Sequence, residues 1–230
     1  MKQDERQQAG AIIAAGGSSQ RMGGVDKLFA PLGGKPLLVR VINAFQSCDS
    51  IDRIVIVLSE SNLERGRQLV AEQGWVKATE VCPGGERRQD SVRNGLSRLS
   101  SCDWVVIHDG ARPLVTTDLI ERGLEAARET GAAIAAVPVI DTIKLAGDDQ
   151  MVQGTPPRHS LWAVQTPQVF RFDIINEAYR QAKYEVTDDA TLVERLGKKV
   201  KLYMGSYDNI KITNPEDLII AEVLGQKYAR

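Results

Sequence analysis

A short apolar run that opens into a loop of small residues is the feature that most constrains the fold of this chain. Residues 11–15 (AIIAA) are compact enough for a buried parallel strand, and residues 16–19 (GGSS) follow directly. Such small residues leave the backbone open, so that several N–H groups can turn toward one anion. Two cations, Arg21 and Lys27, lie on the same connection. The combination of backbone N–H groups and cations predicts a binding site for a polyphosphate.

This first loop matches neither the GxxxxGK[ST] pattern nor GxGxxG. It therefore predicts neither a kinase-type P-loop nor a dinucleotide site. The plain alternative is a glycine-rich turn with two solvated cations. Histidines occur only at 108 and 159 and nothing marks a nucleophilic serine, so a covalent mechanism is disfavoured.

Length and charge limit the kind of protein further. At 230 residues the chain can bury one large core, and we expect a single domain over residues 1–230. A formal net charge of −1 gives no basic excess for tracking nucleic acid. The cysteines stand singly without a CxxC pair, and the N-terminus lacks the apolar length of a signal or membrane segment. We expect a cytoplasmic protein without a nucleic-acid or membrane partner.

Strand and helix patterns alternate along the chain. Strands are predicted at 10–15, 53–58, 104–108, 132–139 and 200–204, with a further short strand ending near Cys82. Helices are predicted at 36–47, 62–73, 90–99, 117–130, 172–183 and 215–225. This alternation predicts an α/β fold with a mostly parallel sheet covered by helices on both faces. Ligands of such sheets bind at the carboxyl ends of the strands, so site residues are expected in the loops that follow them.

Residues 140–168 do not follow the alternation of strands and helices. They contain two short β-like stretches around the turn-prone Gly147-Asp148-Asp149 and no helical pattern. We predict a hairpin that projects from the domain, with its arm at about 140–160. A projecting hairpin is usually a lid or an arm that grips another subunit.

A second glycine loop, residues 83–91 (PGGERRQDS), follows the strand near Cys82. Two glycines followed by Arg and a capping Asp or Ser can hold a base and a ribose edge through backbone groups. A plain surface turn before a capped helix explains these residues equally well.

The strand at 104–108 leads into His108 and Asp109. An acid at a strand's carboxyl end, beside a phosphate loop, is well placed to help hold Mg²⁺. The alternative is an ordinary cap or turn residue. We interpret His108 as structural or as an orienting hydrogen-bond partner.

Other cations come from later in the chain. Lys211 has apolar neighbours, Ile210 and Ile212, which predicts a short strand with the lysine on the opposite face. It is either an exposed strand lysine or a second active-site cation entering from the far side of the cleft. On the predicted arm segment, Arg158 and Thr166 could bind a small anion such as a phosphate monoester.

Together these residues resemble the 2-C-methyl-D-erythritol 4-phosphate cytidylyltransferases of the non-mevalonate isoprenoid pathway. The resemblance spans essentially the whole chain, and seven motifs in the right order make it specific. The motifs are Ala14-Ala15-Gly16 through Arg21-Met22 and Lys27, Asp90-Ser91, His108-Asp109-Gly110-Ala111-Arg112-Pro113, Asp141-Thr142-Ile143-Lys144, Gln165-Thr166-Pro167-Gln168, Thr187-Asp188-Asp189-Ala190, and Asn209-Ile210-Lys211-Ile212-Thr213 followed by Pro215-Glu216-Asp217.

The resemblance implies a Rossmann-like sheet and a homodimer with exchanged arms. It also implies that the 4-phosphate of methylerythritol phosphate, a small polyol phosphate, attacks the α-phosphorus of CTP. The products would be 4-diphosphocytidyl-2-C-methyl-D-erythritol and pyrophosphate. Mg²⁺ or another divalent cation would be the cofactor.

The resemblance also implies functional roles for the residues of this chain that match the motifs of the family. The implied catalytic cations are Arg21, Lys27, Arg158 and Lys211. The implied nucleotide contacts are Ala14, Ala15, Gly16, Gly17, Ser18, Gly84, Gly85, Arg88 and Ser91. The implied substrate contacts are Asp109, Ala111, Arg112, Thr142, Thr166 and Thr187. Asp109 would also lie at the metal, and Arg158 and Thr166 would reach across from the partner subunit.

Two other functions are compatible with parts of the sequence. The sister cytidylyltransferases that use ribitol 5-phosphate often carry Ser-Val-Arg-Pro where this chain has Gly110-Ala111-Arg112-Pro113. A non-catalytic sugar-nucleotide binding protein on the same fold would have no need to retain Arg21, Lys27 and Lys211 together. Both comparisons favour methylerythritol phosphate turnover.

Overall fold

The computed structural model describes residues 7–17 and 26–228. Its strands are β1 (Ala9–Ala15), β2 (Pro31–Leu32), β3 (Lys35–Pro36), β4 (Arg53–Leu58), β5 (Ala78–Pro83), β6 (Trp104–Asp109), β7 (Ala132–Pro138), β8 (Leu145–Ala146), β9 (Val152–Gly154), β10 (Trp162–Arg171) and β11 (Lys201–Met204). Its α-helices are α1 (Leu37–Gln46), α2 (Leu63–Gln73), α3 (Arg88–Leu96), α4 (Thr117–Thr130), α5 (Phe172–Gln181), α6 (Asp189–Arg195) and α7 (Pro215–Gly225). Single-turn 3₁₀ helices lie at Lys27–Phe29, Glu60–Asn62, Arg158–Ser160 and Gln226–Tyr228.

The central sheet has seven strands in the order β11-β7-β10-β6-β1-β4-β5. Neighbouring strands are parallel except at β10, which runs antiparallel to both β6 and β7. The predicted α/β class and mostly parallel sheet are confirmed. Apart from the short strand around Lys211, the predicted strands and helices occur, and their ends shift most at α3, observed at 88–96 where 90–99 is predicted.

The sheet is buried on both faces because its side chains alternate between two cores. On β1, Ile13 packs into a core shared with α1, α2 and α4, whereas Ile12 packs into a second core with α3, α5 and α6. Neither side chain has measurable exposure. A central strand that faces an apolar core on each side of the sheet needs apolar residues at every position. This explains the continuous apolar run AIIAA in the sequence.

The predicted hairpin is present but shorter than the segment assigned to it. Strands β8 and β9 pair antiparallel, with Leu145 opposite Gly154. The remainder, from Trp162 onward, forms β10 inside the central sheet and not a part of the arm. The sequence does not indicate this strand because it contains Pro167, and proline has no N–H to donate to a neighbouring strand. The pairing of β10 with β7 shifts register between Val164 and Gln168, so the proline falls in the irregular stretch and costs no regular ladder bond.

Two local expectations fail. Helix α6 was not predicted, although the side chain of Asp188 caps it by accepting a hydrogen bond from the N–H of Thr191. The short strand expected around Lys211 does not form, and residues 209–213 are an extended segment without strand pairing. Ile212 is nevertheless buried while Lys211 is exposed, so the predicted alternation of side chains holds without a strand.

Among the described residues, no helix combines the length and the apolar character that crossing a membrane requires.

Helix α3 lies close against β1, and Gly95 is the contact. A Cβ atom at Gly95 would lie 2.7 Å from Cγ2 of Ile12. We expect Gly95→Ala to lower the free energy of unfolding by about 1–3 kcal/mol, because overpacking outweighs the roughly 1 kcal/mol gain in helix propensity. Gly225→Ala, where the nearest atom would be 3.5 Å away, is the matched control and should be neutral or stabilising. Urea denaturation measures both, and a Gly95→Ala protein as stable as the wild type would contradict the close packing.

Candidate active site

Many of the predicted site residues converge at the carboxyl ends of β1, β5 and β6, where a cavity of about 180 Å³ opens. Its lining is Ala14, Ala15, Gly16, Gly17, Lys27, Leu28, Gly85, Glu86, Arg87, Arg88, Ser91, Asp109, Ala111 and Lys211. A larger and more open groove of about 890 Å³ lies at the amino ends of β1 and β6 and holds none of the predicted site residues. The chemistry therefore concentrates in the smaller cavity, at the edge of the sheet where ligands of this fold class bind.

The hydroxyl of Ser91 joins the two glycine loops. It accepts a hydrogen bond from the N–H of Gly85 at 3.1 Å. A Cβ atom at Gly16 or Gly84 would lie 2.9 or 2.7 Å from Ser91 Oγ. Only glycine allows both loops to approach this hydroxyl so closely. Gly16, Gly85 and Ser91 thus form one wall of the cavity, while Gly84 contacts Ser91 without being among the lining residues.

Asp109 lies at the end of β6 and is 7% exposed. Its Oδ1 is 3.0 Å from Arg88 Nε and its Oδ2 is 2.9 Å from Lys211 Nζ, while Arg112 Nε is 3.8 Å away. Burial alone would raise the pKa of this carboxyl, but the charges of Arg88 and Lys211 outweigh burial and hold the pKa well below its ordinary value. Asp109 is therefore an ionised carboxylate among three cations.

The two predicted catalytic lysines share the cavity although they are far apart in sequence. Ile212 is docked by its N–H, which donates to the carbonyl of Ala111 at 2.8 Å. Its own carbonyl accepts a hydrogen bond from Lys27 Nζ at 3.2 Å. The segment that carries Lys211 is thus held against β6 on one side and against Lys27 on the other. Lys211 is exposed, but it lies in no strand and its ammonium pairs with Asp109 at the cavity.

His108 is fully buried and orients the neighbouring backbone, as predicted. Its Nε2 lies 3.1 Å from the carbonyl oxygen of Arg112, which can only accept, so Nε2 carries the proton. Its Nδ1 then accepts from the hydroxyl of Thr166 at 3.0 Å, and Thr166 Oγ1 accepts from the N–H of Asp109 at 3.0 Å. Burial lowers the pKa of His108 to about 4, so the ring is neutral at pH 7.

The expectation that Thr166 reaches across to a partner subunit is wrong. Its side chain is buried at 4% exposure between His108 and Asp109 of its own chain. It orients the end of β6 from within the same subunit.

Other predicted residues lie outside the cavity. Thr142 and Arg158 are exposed near the hairpin, and Arg158 Nη1 donates to the carbonyl of Ile140 at 2.7 Å. Thr187 is exposed in the loop before α6. Arg112 donates from Nη1 to the carbonyl of Asn209 at 2.7 Å and so helps to hold the segment that carries Lys211. Ser18 and Arg21 lie outside the described residues.

Sequence reasoning missed one contact of the site. Asp189, at the first position of α6, lies 2.8 Å from Arg88 Nη1 through its Oδ2. The residue belongs to a motif that carries the family resemblance, but no local pattern indicates that α6 packs behind Arg88. Its role emerges only once the helix is placed against the sheet.

Few side chains near the cavity are suited to binding a metal ion. Across residues 7–17 and 26–228, no group of three or more His, Cys, Asp or Glu side chains could hold an ion. The residues therefore do not form a resident metal centre. A single carboxylate such as Asp109 does fit Mg²⁺ that is bound mainly by phosphates and water. Lys211, the partner of its Oδ2, has a side chain 41% exposed and thus has room to turn away.

A mostly parallel α/β sheet with a glycine-walled, cation-lined cavity at its carboxyl edge defines a nucleotide-binding protein of the Rossmann-like class. Comparison with known proteins narrows this class. The family model for 2-C-methyl-D-erythritol 4-phosphate cytidylyltransferase (IspD) matches residues 9–227, and the chain belongs to that family.

Individual relatives agree. The cytidylyltransferase of this name from Dehalococcoides mccartyi is 52% identical, over 96% of this chain and 97% of the relative. That from Geobacillus kaustophilus is 48% identical, over 93% of this chain and 95% of the relative. The crystal structure of 4-diphosphocytidyl-2C-methyl-D-erythritol synthase from Anaerococcus prevotii superposes with a TM-score of 0.86 at 30% identity, over 96% of both chains. That of the Thermus thermophilus cytidylyltransferase gives 0.76 at 33% identity, over 94% and 98%.

The buried His108 makes stability depend on pH. The native state holds the ring neutral down to about pH 4, whereas the unfolded chain protonates it near pH 6.5. The stabilisation is present above pH 6.5 and is lost as the pH falls toward 4, by about 3 kcal/mol in total. We expect His108→Gln to flatten the fall in unfolding free energy over this window. His159→Gln, at the exposed second histidine, is the control and should keep the wild-type slope. Equal slopes in all three proteins would show that His108 does not titrate as described.

Proposed function

We propose that this protein converts CTP and 2-C-methyl-D-erythritol 4-phosphate to 4-diphosphocytidyl-2-C-methyl-D-erythritol and pyrophosphate. One observation carries the chemistry: Lys27 and Lys211, far apart in sequence, line one cavity beside a glycine-walled loop pair. Membership of the cytidylyltransferase family favours this reaction over ribitol 5-phosphate transfer and over a non-catalytic binding role.

The reaction needs positioning and positive charge more than acid–base chemistry. The attacking group is a phosphate monoester that is already ionised, so no general base is required. The two substrates are polyanions, and an in-line attack on the α-phosphorus concentrates negative charge between them. Fixed cations that meet this charge in a partly buried cavity can supply most of the rate enhancement.

We assign the nucleotide to the wall made by the two glycine loops. Gly16 and Gly17 follow β1 and can offer N–H groups to phosphates, while Gly85, Arg88 and Ser91 are suited to the base and ribose. Lys27 lies beside the first loop, and Arg21 of the same connection is proposed as its companion. Both would stabilise the charge that develops at the α-phosphorus.

We assign the polyol phosphate to the side that carries Lys211. Its ammonium, paired with Asp109 in the ligand-free protein, would exchange that partner for the incoming phosphate. Asp109, Ala111 and Arg112 would then border the substrate, with Thr166 acting through Asp109. Mg²⁺ arriving with CTP would be held by the triphosphate and Asp109, and it supplies charge neutralisation to the phosphates.

The second half of the substrate site is proposed to come from a partner subunit. Arg158, Thr142 and Thr187 are exposed and outside the cavity of their own chain. The hairpin also exposes apolar side chains that a monomer would leave in water, namely Leu145, Met151 and Val152. An arm exchanged in a homodimer would bury these side chains and bring Arg158 to the neighbouring site. A cytoplasmic location is consistent with three free, buried cysteines.

The activity itself is tested by pyrophosphate release. The wild-type protein with CTP, Mg²⁺ and methylerythritol phosphate should turn over, and replacing CTP by UTP or the acceptor by ribitol 5-phosphate should reduce kcat/KM strongly. Binding of CTP without pyrophosphate release from any polyol phosphate would favour the non-catalytic alternative.

Removal of either lysine should abolish most turnover. We expect Lys27→Ala and Lys211→Ala each to lower kcat by at least about a hundredfold, the scale of losing one transition-state contact. Circular dichroism and thermal melting should show intact folds, since Arg88 and Arg112 still compensate Asp109. Lys183→Ala, at an exposed lysine after α5, is the matched control and should keep wild-type rates. Activity within tenfold of the wild type in both variants would remove these lysines from the mechanism.

Subunit mixing tests the exchanged arm. Arg158→Ala should chiefly raise KM for methylerythritol phosphate, because it removes a cation from substrate binding. When Arg158→Ala and Lys27→Ala proteins are mixed, each heterodimer contains one site with both residues intact, and activity should partly return. Subunit exchange is verified by mass spectrometry of tagged chains. Confirmed heterodimers with no recovered activity would rule out a site shared between subunits.

A further inference from the structure

A buried tyrosine–aspartate pair lies behind the cavity without lining it. Tyr179 on α5 donates its hydroxyl proton to Oδ1 of Asp189 at 2.5 Å. The two residues are 4% and 1% exposed. Burial raises the pKa of Tyr179, and the neighbouring charge of Asp189 raises it further, so the tyrosine remains a neutral donor. A buried carboxylate with only this neutral donor would be costly, and its compensating charge comes from the active site.

That charge is Arg88, whose guanidinium bridges two carboxylates. Its Nε contacts Asp109 at 3.0 Å on the cavity side, and its Nη1 lies 2.8 Å from Asp189 Oδ2 on the far side. Among the residues that the structure describes, none gives Asp189 Oδ2 a well-aligned hydrogen bond, so its contact with Arg88 Nη1 is mainly electrostatic. Burial alone would lower the pKa of Arg88, but the charges of Asp189 and Asp109 raise it overall.

We propose that Asp189 is a positioning residue that holds Arg88 at the cavity wall while Asp109 engages the substrates. The proposal rests on the function assigned above. Asp109 must loosen its present ion pairs before it can serve the substrate phosphates or their metal. Lys211 is partly exposed and has room to move, whereas Arg88 is held from behind by a second carboxylate.

Without the charge of Asp189, Arg88 would keep Asp109 as its carboxylate partner among the described residues. An arginine in that position can close a bidentate pair with the carboxylate, which is stronger and directional. Asp109 would then be occupied and the guanidinium drawn out of the wall. Because Arg88 is shared with Asp189, it does not occupy both carboxylate oxygens of Asp109, and Asp109 stays available to the substrates.

The first test compares two substitutions at the pair. Asp189→Asn removes the charge but keeps the shape and an oxygen for Tyr179, whereas Tyr179→Phe removes the hydroxyl and keeps the charge. We expect Asp189→Asn to lower kcat/KM for CTP by tenfold or more at a temperature well below its Tm. Tyr179→Phe should stay within threefold of the wild type even where its Tm falls as far. If kcat/KM falls in both variants in proportion to the fall in their Tm, Asp189 has only a structural role.

The second test asks whether Asp189 acts through Arg88. In an Arg88→Gln background, adding Asp189→Asn should change kcat/KM by less than threefold, because the group to be positioned is gone. This double variant removes both charges of the pair, which proteins tolerate better than removal of one. The comparison needs only the Arg88→Gln and double variants, each assayed well below its own Tm, so it does not depend on the folding of Asp189→Asn alone. A further tenfold loss in the double variant overturns the proposal.

The outcomes separate this inference from the proposed function. Absence of pyrophosphate release by the wild-type protein would count against the function itself. Wild-type turnover with an unaffected Asp189→Asn variant would count against the positioning role alone.

Discussion

The site depends on one constraint: a carboxylate buried at the end of β6 must be compensated by positive charge. An isolated buried carboxylate is strongly unfavourable, so the fold brings cations to it from separate parts of the chain. Arg88 comes from α3, Lys211 from the segment before α7, and Arg112 from the loop after β6. The contacts that stabilise Asp109 are therefore the same contacts that set the cations around the cavity.

The sheet gives this charge cluster its place and its access. The carboxyl ends of parallel strands meet at one edge, and the loops of β1 and β5 approach within contact distance of Ser91 because Gly16 and Gly84 lack side chains. The backbone is left open on the side where phosphates would lie. The neutral His108 holds the end of β6 through Thr166 without adding a charge that would disturb the balance around Asp109. Rigid support behind an open cationic cavity is the arrangement that catalysis by positioning needs.

Much of this arrangement could be predicted from the sequence, and the exceptions have physical reasons. Most strands and helices and the glycine loops follow from periodicity and from turn residues. The residues alone left the role of Lys211 open, and its convergence with Lys27 was implied by the family resemblance. Strand β10 was not predicted because a proline such as Pro167 normally indicates the end of a strand. The irregular register of β10 is set only by its pairing with β7. The Arg88–Asp189 contact was missed because it depends on how α6 packs against the sheet, which no local pattern encodes.

In the proposed dimer, one chain would not complete the substrate site by itself. The cavity of a single subunit gathers the cations suited to the nucleotide and to the reacting phosphorus, while Arg158 lies on the segment that leads from the hairpin into β10. Its guanidinium donates to the carbonyl of Ile140 at the base of the arm, and this hydrogen bond restricts the exposed side chain before any ligand arrives. A pre-ordered cation loses less conformational entropy when it meets its anion. In the proposed dimer, the arm would therefore act as a rigid part of the neighbouring site, and dimerisation and substrate binding would favour each other.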